Sequence, residues 1–89
     1  MNTTIEMFIG ENNRTHKVDR DLIIQTLSKY HEGFTIQPAV GYWHGVQENS
    51  VAVIISDDSA TIFESMKKLK YVLKQEAIAY HEVAPLEFA

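Results

Sequence analysis

The chain has 89 residues, 45% of them hydrophobic and 22% charged, with a net charge of −4 and no cysteine. This length makes one domain over residues 1–89 and buries only about 60–65% of the unfolded surface, so association with a second copy would add to a small core. The acidic balance argues against a nucleic-acid partner, the lack of cysteine excludes disulfides and thiolate chemistry, and no apolar run approaches the ~20 residues of a membrane span.

The start, "MNTTIEMF", lacks the basic stretch and apolar block of a signal peptide; a cytoplasmic location is the expectation. From there "TTIEMFIG" alternates, with Ile5, Met7 and Ile9 on one face and Thr4, Glu6 and Phe8 on the other, as a strand does. A polar loop, "ENNRTHK", follows. "VDRDLIIQTLSKYHEG" reads as a helix. Asp19 is its expected N-cap, Val18 and Ile23 stand at staple spacing, and Gly33 is placed as the residue after the C-cap.

"FTIQPAVGYW" reads as a strand, and Pro38, which cannot donate to a ladder, puts it at a sheet edge or a bulge. "ENSVAVIIS" is apolar on both faces and suits a central strand. "DDSATIFESMKKLKYVLKQ" is the longest helix, with a stripe of Ile62, Met66, Leu69 and Leu73 and a cap at Asp58 or Ser59. "EAIAYHEV" is the last strand and ends before Pro85.

The order β-α-β-β-α-β predicts an α+β, ferredoxin-like domain. Right-handed crossovers place both helices on one face of a four-stranded antiparallel sheet of order 4-1-3-2. The other face then carries Phe8, Ala52 and Ile54, with either Ala79 and His81 or Ile78 and Tyr80. Such a face is too apolar to lie bare on a monomer. Phe8, Ala52, Ile54 and His81 are therefore the expected interface of a homo-oligomer, unless a cleft there holds a ligand.

Several stretches carry a resemblance that spans nearly the whole chain. They are "VDRD" opening the first helix, "GFT" before the second strand, "GYW" and "ENS" flanking a hairpin, and "KQEAIAYHEV" leading into the last strand. In order and spacing they resemble a family of short bacterial and mobile-element proteins known only as a domain of unknown function with a ferredoxin-like fold. That family carries no established activity, so the resemblance implies a fold far more than a function.

Chemistry-bearing residues concentrate in "GYWHGVQENS", residues 41–50. Gly45 permits a positive φ in the turn, and Gly41 marks a bulge or a close backbone approach. Trp43 is either a rim residue of the core or a platform for a flat ligand. Glu48 and Ser50, two apart on a strand, share a face and pair across strands or meet ligand hydroxyls. His44 sits in the turn. In the earlier loop Arg14, His16 and Lys17 present cations near the start of the first helix, as a solvated loop or an anion site. His31 stands near a helix end, where its charge suits the dipole. The four histidines lack the i, i+4 spacing of a helical zinc site, and neither GxSxG nor a phosphate-binding glycine loop occurs. No catalytic residue, metal or cofactor is assigned.

These residues lead to a small non-catalytic binding protein. Its ligand-binding set is Trp43, His44, Glu48, Ser50, Arg14 and His16, and its partner is a small molecule or a protein. A phage-type accessory or anti-defence protein that sequesters a signalling ligand or blocks a host protein is one concrete form. The alternative is a small cofactor-independent enzyme, of oxygenase or isomerase type, with a site between sheet and helices. A purely structural assembly module is the third.

Overall fold

The computed structural model describes residues 2–85 and 87–89. The elements are β1 (Asn2–Gly10), α1 (Arg20–Ser28), β2 (Thr35–Trp43), β3 (Val46–Asp58), α2 (Ser59–Leu73) and β4 (Ala79–Val83). The strands form one antiparallel sheet of order β2-β3-β1-β4. This is the ferredoxin-like βαββαβ arrangement, with β2 and its Pro38 at one edge and the doubly apolar β3 inside.

Period-two alternation decides what each sheet face carries. In register, Ile5 pairs with Ile55, Met7 with Val53 and Ile9 with Val51. All six are buried and join Ile23 and Leu27 of α1 and Ile62, Met66 and Leu69 of α2 in a single core. Both helices therefore lie on that face. The opposite face, left uncovered, carries Glu6, Phe8, Ala52 and Ile54. On β4, His81 pairs with Glu6 and Ala79 with Phe8, so Ala79 and His81 take the open face. Tyr80 turns to the helix side, where its ring meets Phe63 edge-on at 5.2 Å between centroids.

Three boundaries differ from the sequence reading. α1 ends at Ser28, with Lys29 as its C-cap, so Gly33 lies well beyond the helix end. The chain tightens after Ser28: the Tyr30 and His31 amides both donate to the Leu27 carbonyl, which draws His31 inward to a buried position. β4 begins at Ala79 and not at Glu76; Ile78 just before it plugs the end of the core. The connection between β2 and β3 is shorter than the four residues, "HGVQ", that lie between the two predicted strands. Trp43 pairs with Val46, which leaves only His44 (φ 50°) and Gly45 (φ 78°) in the turn. Two central residues with positive φ are the signature of a type I′ hairpin, whose twist matches the strands it joins.

β1 pairs with β3 only over residues 50–58 of the latter. Residues 46–49 of β3 pair with β2 alone, so the hairpin projects past β1 as a two-stranded arm. Its tip exposes Val40, Tyr42, Trp43 and Val46.

Candidate functional site: a groove at the foot of the hairpin arm

Where the arm leaves the sheet, the open face dips into a groove of about 500 Å³. Small residues make its floor. Gly10 pairs with Ser50 and Ser50 with Ala39, while Gly41 pairs with Glu48; Ala77 and Ala79 close the far side. Phe8 and Trp43 stand as aromatic walls at opposite ends. Strand alternation puts Trp43, Glu48 and Ser50 on one face, and the β2–β3 register brings them together.

Glu48 lies across this floor. A β-carbon on Gly10 would stand 3.0 Å from the Glu48 Oε1, and one on Gly41 would stand 3.8 Å from its Cγ. Gly10 thus leaves the lane in which the carboxylate rests, while a β-carbon on Gly41 would make only ordinary contact. Gly41 makes no bulge, since the register runs through it without interruption. The Glu48 carboxylate has no hydrogen-bond or ion-pair partner among the described residues. The second carboxylate, Glu11, is already engaged: its Oε2 accepts from the Asn49 amide at 3.2 Å, and its Oε1 lies 3.4 Å from His16 Nδ1. The Asn49 bond pins the 11–17 loop to the arm and holds that wall of the groove. The charged side chains of the lining are Glu11 and Glu48, and none of its residues is basic.

The other residues singled out in the sequence fall outside this lining. His44 sits on the turn with its ring edge-on to Trp43 at 4.9 Å. Arg14 is exposed on the loop, whose conformation is held by the Asn12 side chain accepting from the Arg14 and Thr15 amides. His16 occupies a left-handed conformation (φ 56°) beside Glu11. Of that loop, Glu11 and Asn13 face the groove. Further down the open face the His81 Nε2 donates to Glu6 Oε1 at 2.6 Å, and the ring of His81 lies parallel to that of Phe8 at 6.0 Å.

A second polar constellation escaped the sequence reading. His31 Nδ1 donates to Asp57 Oδ2 at 2.7 Å, and its Nε2 lies 2.8 Å from Ser65 Oγ. The order Asp–His–Ser mimics a hydrolase triad, but Ser65 is fully buried and its hydroxyl donates to the Ile62 carbonyl at 2.8 Å. A nucleophile needs access to substrate. This network instead ties the end of α1 to β3 and α2. No spacing rule links residues 26 and 34 positions apart, and only the fold brings them together. The Asp57 carboxyl is held below the usual aspartate range, first by the His31 hydrogen bond and then by the Asp58 amide, against some desolvation. Among the described residues no group of three or more His, Asp or Glu side chains is placed to hold a metal ion.

No protein-family model and no curated protein matches the chain. Solved structures do. A DUF3240 family protein from Shewanella baltica superposes with a TM-score of 0.68 at 17% identity, covering 97% of this chain and 92% of that one. Among the structural neighbours, then, is a protein known through a domain of unknown function. The divalent cation tolerance protein CutA1 from Thermus thermophilus gives a TM-score of 0.65 at 9% identity, over 100% of this chain and 88% of that one. A phage SAM lyase in its apo state gives a TM-score of 0.58 at 22% identity, over 89% and 78%. At these identities the likeness establishes the ferredoxin-like fold. No helix among the described residues is long and apolar enough to cross a membrane.

Proposed function

We propose that this chain is a small-molecule-binding protein whose ligand is an adenosyl sulfonium of the S-adenosylmethionine (SAM) class, held in the groove at the foot of the arm. The observation that carries this reading is the Glu48 carboxylate, lying without a partner on a floor of glycine and alanine between two aromatic walls. A carboxylate so placed accepts hydrogen bonds from a ribose diol or neutralises a sulfonium or ammonium centre. Trp43 and Phe8 offer flat faces to a purine. An acidic lining without lysine or arginine disfavours nucleotide phosphates, so a phosphorylated signalling ligand is a poor fit. The phage SAM lyase among the neighbours supports the same ligand class and a phage-type accessory role, in which the protein withdraws a methyl donor from the host.

The reading includes self-association through the open face. Phe8, Ile54 and the exposed Trp43 stand beside the groove, and a second copy seated on them would close its open side and bury the apolar surface.

Titration calorimetry with three ligands tests the ligand class. SAM should bind, S-adenosylhomocysteine, which lacks the sulfonium charge, more weakly, and AMP not at all. AMP binding as tightly as SAM, or no heat from SAM at millimolar concentration, overturns the reading. A second reading, a lyase acting on the same ligand, is favoured by that same neighbour. Mass spectrometry of SAM after incubation separates the two: intact SAM means sequestration, and its loss with release of a neutral adenosyl thioether means turnover.

A further inference from the structure

On the helix side of the sheet, between the start of α1 and the end of α2, lies a second cavity of about 520 Å³. Its floor is apolar and belongs to the core: Ile9 and Ile23 are buried there, with Leu22, Val72 and Leu73 beside them. Lys17 and Lys74 stand at its rim. Neither makes an ion pair among the described residues. The one carboxylate of the lining, Asp19, is occupied as the α1 cap, accepting from the Leu22 amide at 3.1 Å. Asp19 keeps its charge, so two lysines against one carboxylate leave the lining with a small positive excess in a chain of net charge −4.

The backbone at Lys74 points the same way. It adopts the left-handed conformation (φ 56°, ψ 41°) at the C-cap of α2, where glycine or asparagine is the usual occupant because other side chains are strained there. A lysine kept in that conformation is a local conflict of the kind that collects at ligand sites.

We infer that this cavity is a binding site for a small amphiphilic carboxylate, with the aliphatic chain on the Ile9–Ile23–Leu73 floor and the carboxylate between Lys17 and Lys74. An apolar floor with few convergent polar groups is the general form of a small-molecule site, and the two lysines, neither of them in an ion pair among the described residues, select the headgroup. The wall between this cavity and the acidic groove is made by Gly10 and Gln75, which line both and are joined by the Gln75 Nε2 donating to the Gly10 carbonyl at 3.4 Å. The two sites thus share a wall but differ in charge preference, the groove being acidic and the cavity carrying two lysines.

Octanoate, octylamine and amide-resolved NMR provide the test on the whole chain. Octanoate should give saturable shifts at Thr15, Lys17, Leu73 and Lys74, leaving Glu48 and Ser50 in the acidic groove unmoved, and octylamine should not. Lys17→Gln and Lys74→Gly should each weaken octanoate by up to about fivefold, the upper value of one exposed ion pair. Lys74→Gly relieves the left-handed strain, so its melting temperature should equal or exceed that of the wild type, and lost binding then cannot come from lost fold. No saturable shift at millimolar octanoate, equal binding of octylamine, shifts confined to the acidic groove, or affinity unchanged in both variants would each overturn the inference.

Discussion

His31 and Asp57, 26 residues apart in sequence, meet through Nδ1 and Oδ2 at 2.7 Å, and the far nitrogen of the same ring reaches Ser65. The ring joins the segment after α1 to the end of β3 and the middle of α2. Replacing His31 by Leu keeps the volume but leaves the buried Ser65 without its ring partner and Asp57 without its ring donor. Ser65 keeps its bond to the Ile62 carbonyl and Asp57 still accepts from the Asp58 amide, so the expected cost is that of the lost hydrogen bonds, about 0.5–1.5 kcal/mol each. A urea midpoint within error of the wild type would show that the network contributes nothing.

The same contact sets an acid dependence. The Asp57 carboxyl has a lower pKa folded than unfolded, because His31 and the Asp58 amide favour its ionised form. Its contribution is complete above the unfolded value of about 3.9 and is lost as pH falls through the lower folded value. Asp57→Asn should therefore lower stability at neutral pH and narrow its gap to the wild type as pH falls below about 4. Urea denaturation of both proteins from neutral to strongly acidic pH checks this, and a gap that widens towards acid contradicts it.

Leu69 is fully buried at the centre of the α2 stripe. Leu69→Ala should destabilise the domain by roughly 2–5 kcal/mol, a large part of the stability of so small a protein. Thermal or chemical denaturation followed by circular dichroism gives the number.

Phe8 stands on the open face, 40% exposed in the single chain. If a second copy covers it, Phe8→Asp places an unpaired charge in the contact, which costs several kcal/mol when buried. Light scattering should find a multimer for the wild type and a smaller species for the variant. A wild type that is monomeric at high micromolar concentration rules out this interface.

Three changes probe the acidic groove. Trp43→Ala should weaken SAM by about 1–3 kcal/mol, the usual loss of an aromatic stacking partner. Glu48→Gln should weaken it with the fold intact, since the carboxylate supports no other contact. Gly10→Ala crowds Glu48 Oε1 at 3.0 Å and should also weaken binding, because the flexible carboxylate moves aside while the strand pairing stays. Calorimetry alongside circular dichroism reads all three, and unchanged affinity in the folded variants would make the groove a packing feature only.

By itself the sequence determined the element order, the helix stripe through Leu69, the confinement of Pro38 to an edge or a bulge and the alternation that puts Phe8, Ala52 and Ile54 on the face opposite the core. These are local properties: a period of two or 3.6, a cap, a missing amide proton. The shared face of Glu48 and Ser50 is of the same kind, because both stand on one strand. The tertiary structure alone decided the rest. The Gly10 lane for Glu48 depends on strand register across β1, β2 and β3. The choice of Ala79 and His81 for the open face depends on where β4 enters its ladder. The position of His31 beside Asp57 and Ser65 depends on how the end of α1 packs on β3 and α2, and the cavity depends on the loop before α1 and the end of α2 bringing Lys17 and Lys74 to one rim. Each of these joins residues distant along the chain, whose meeting is set by the packing of the whole domain and leaves no local pattern in the sequence.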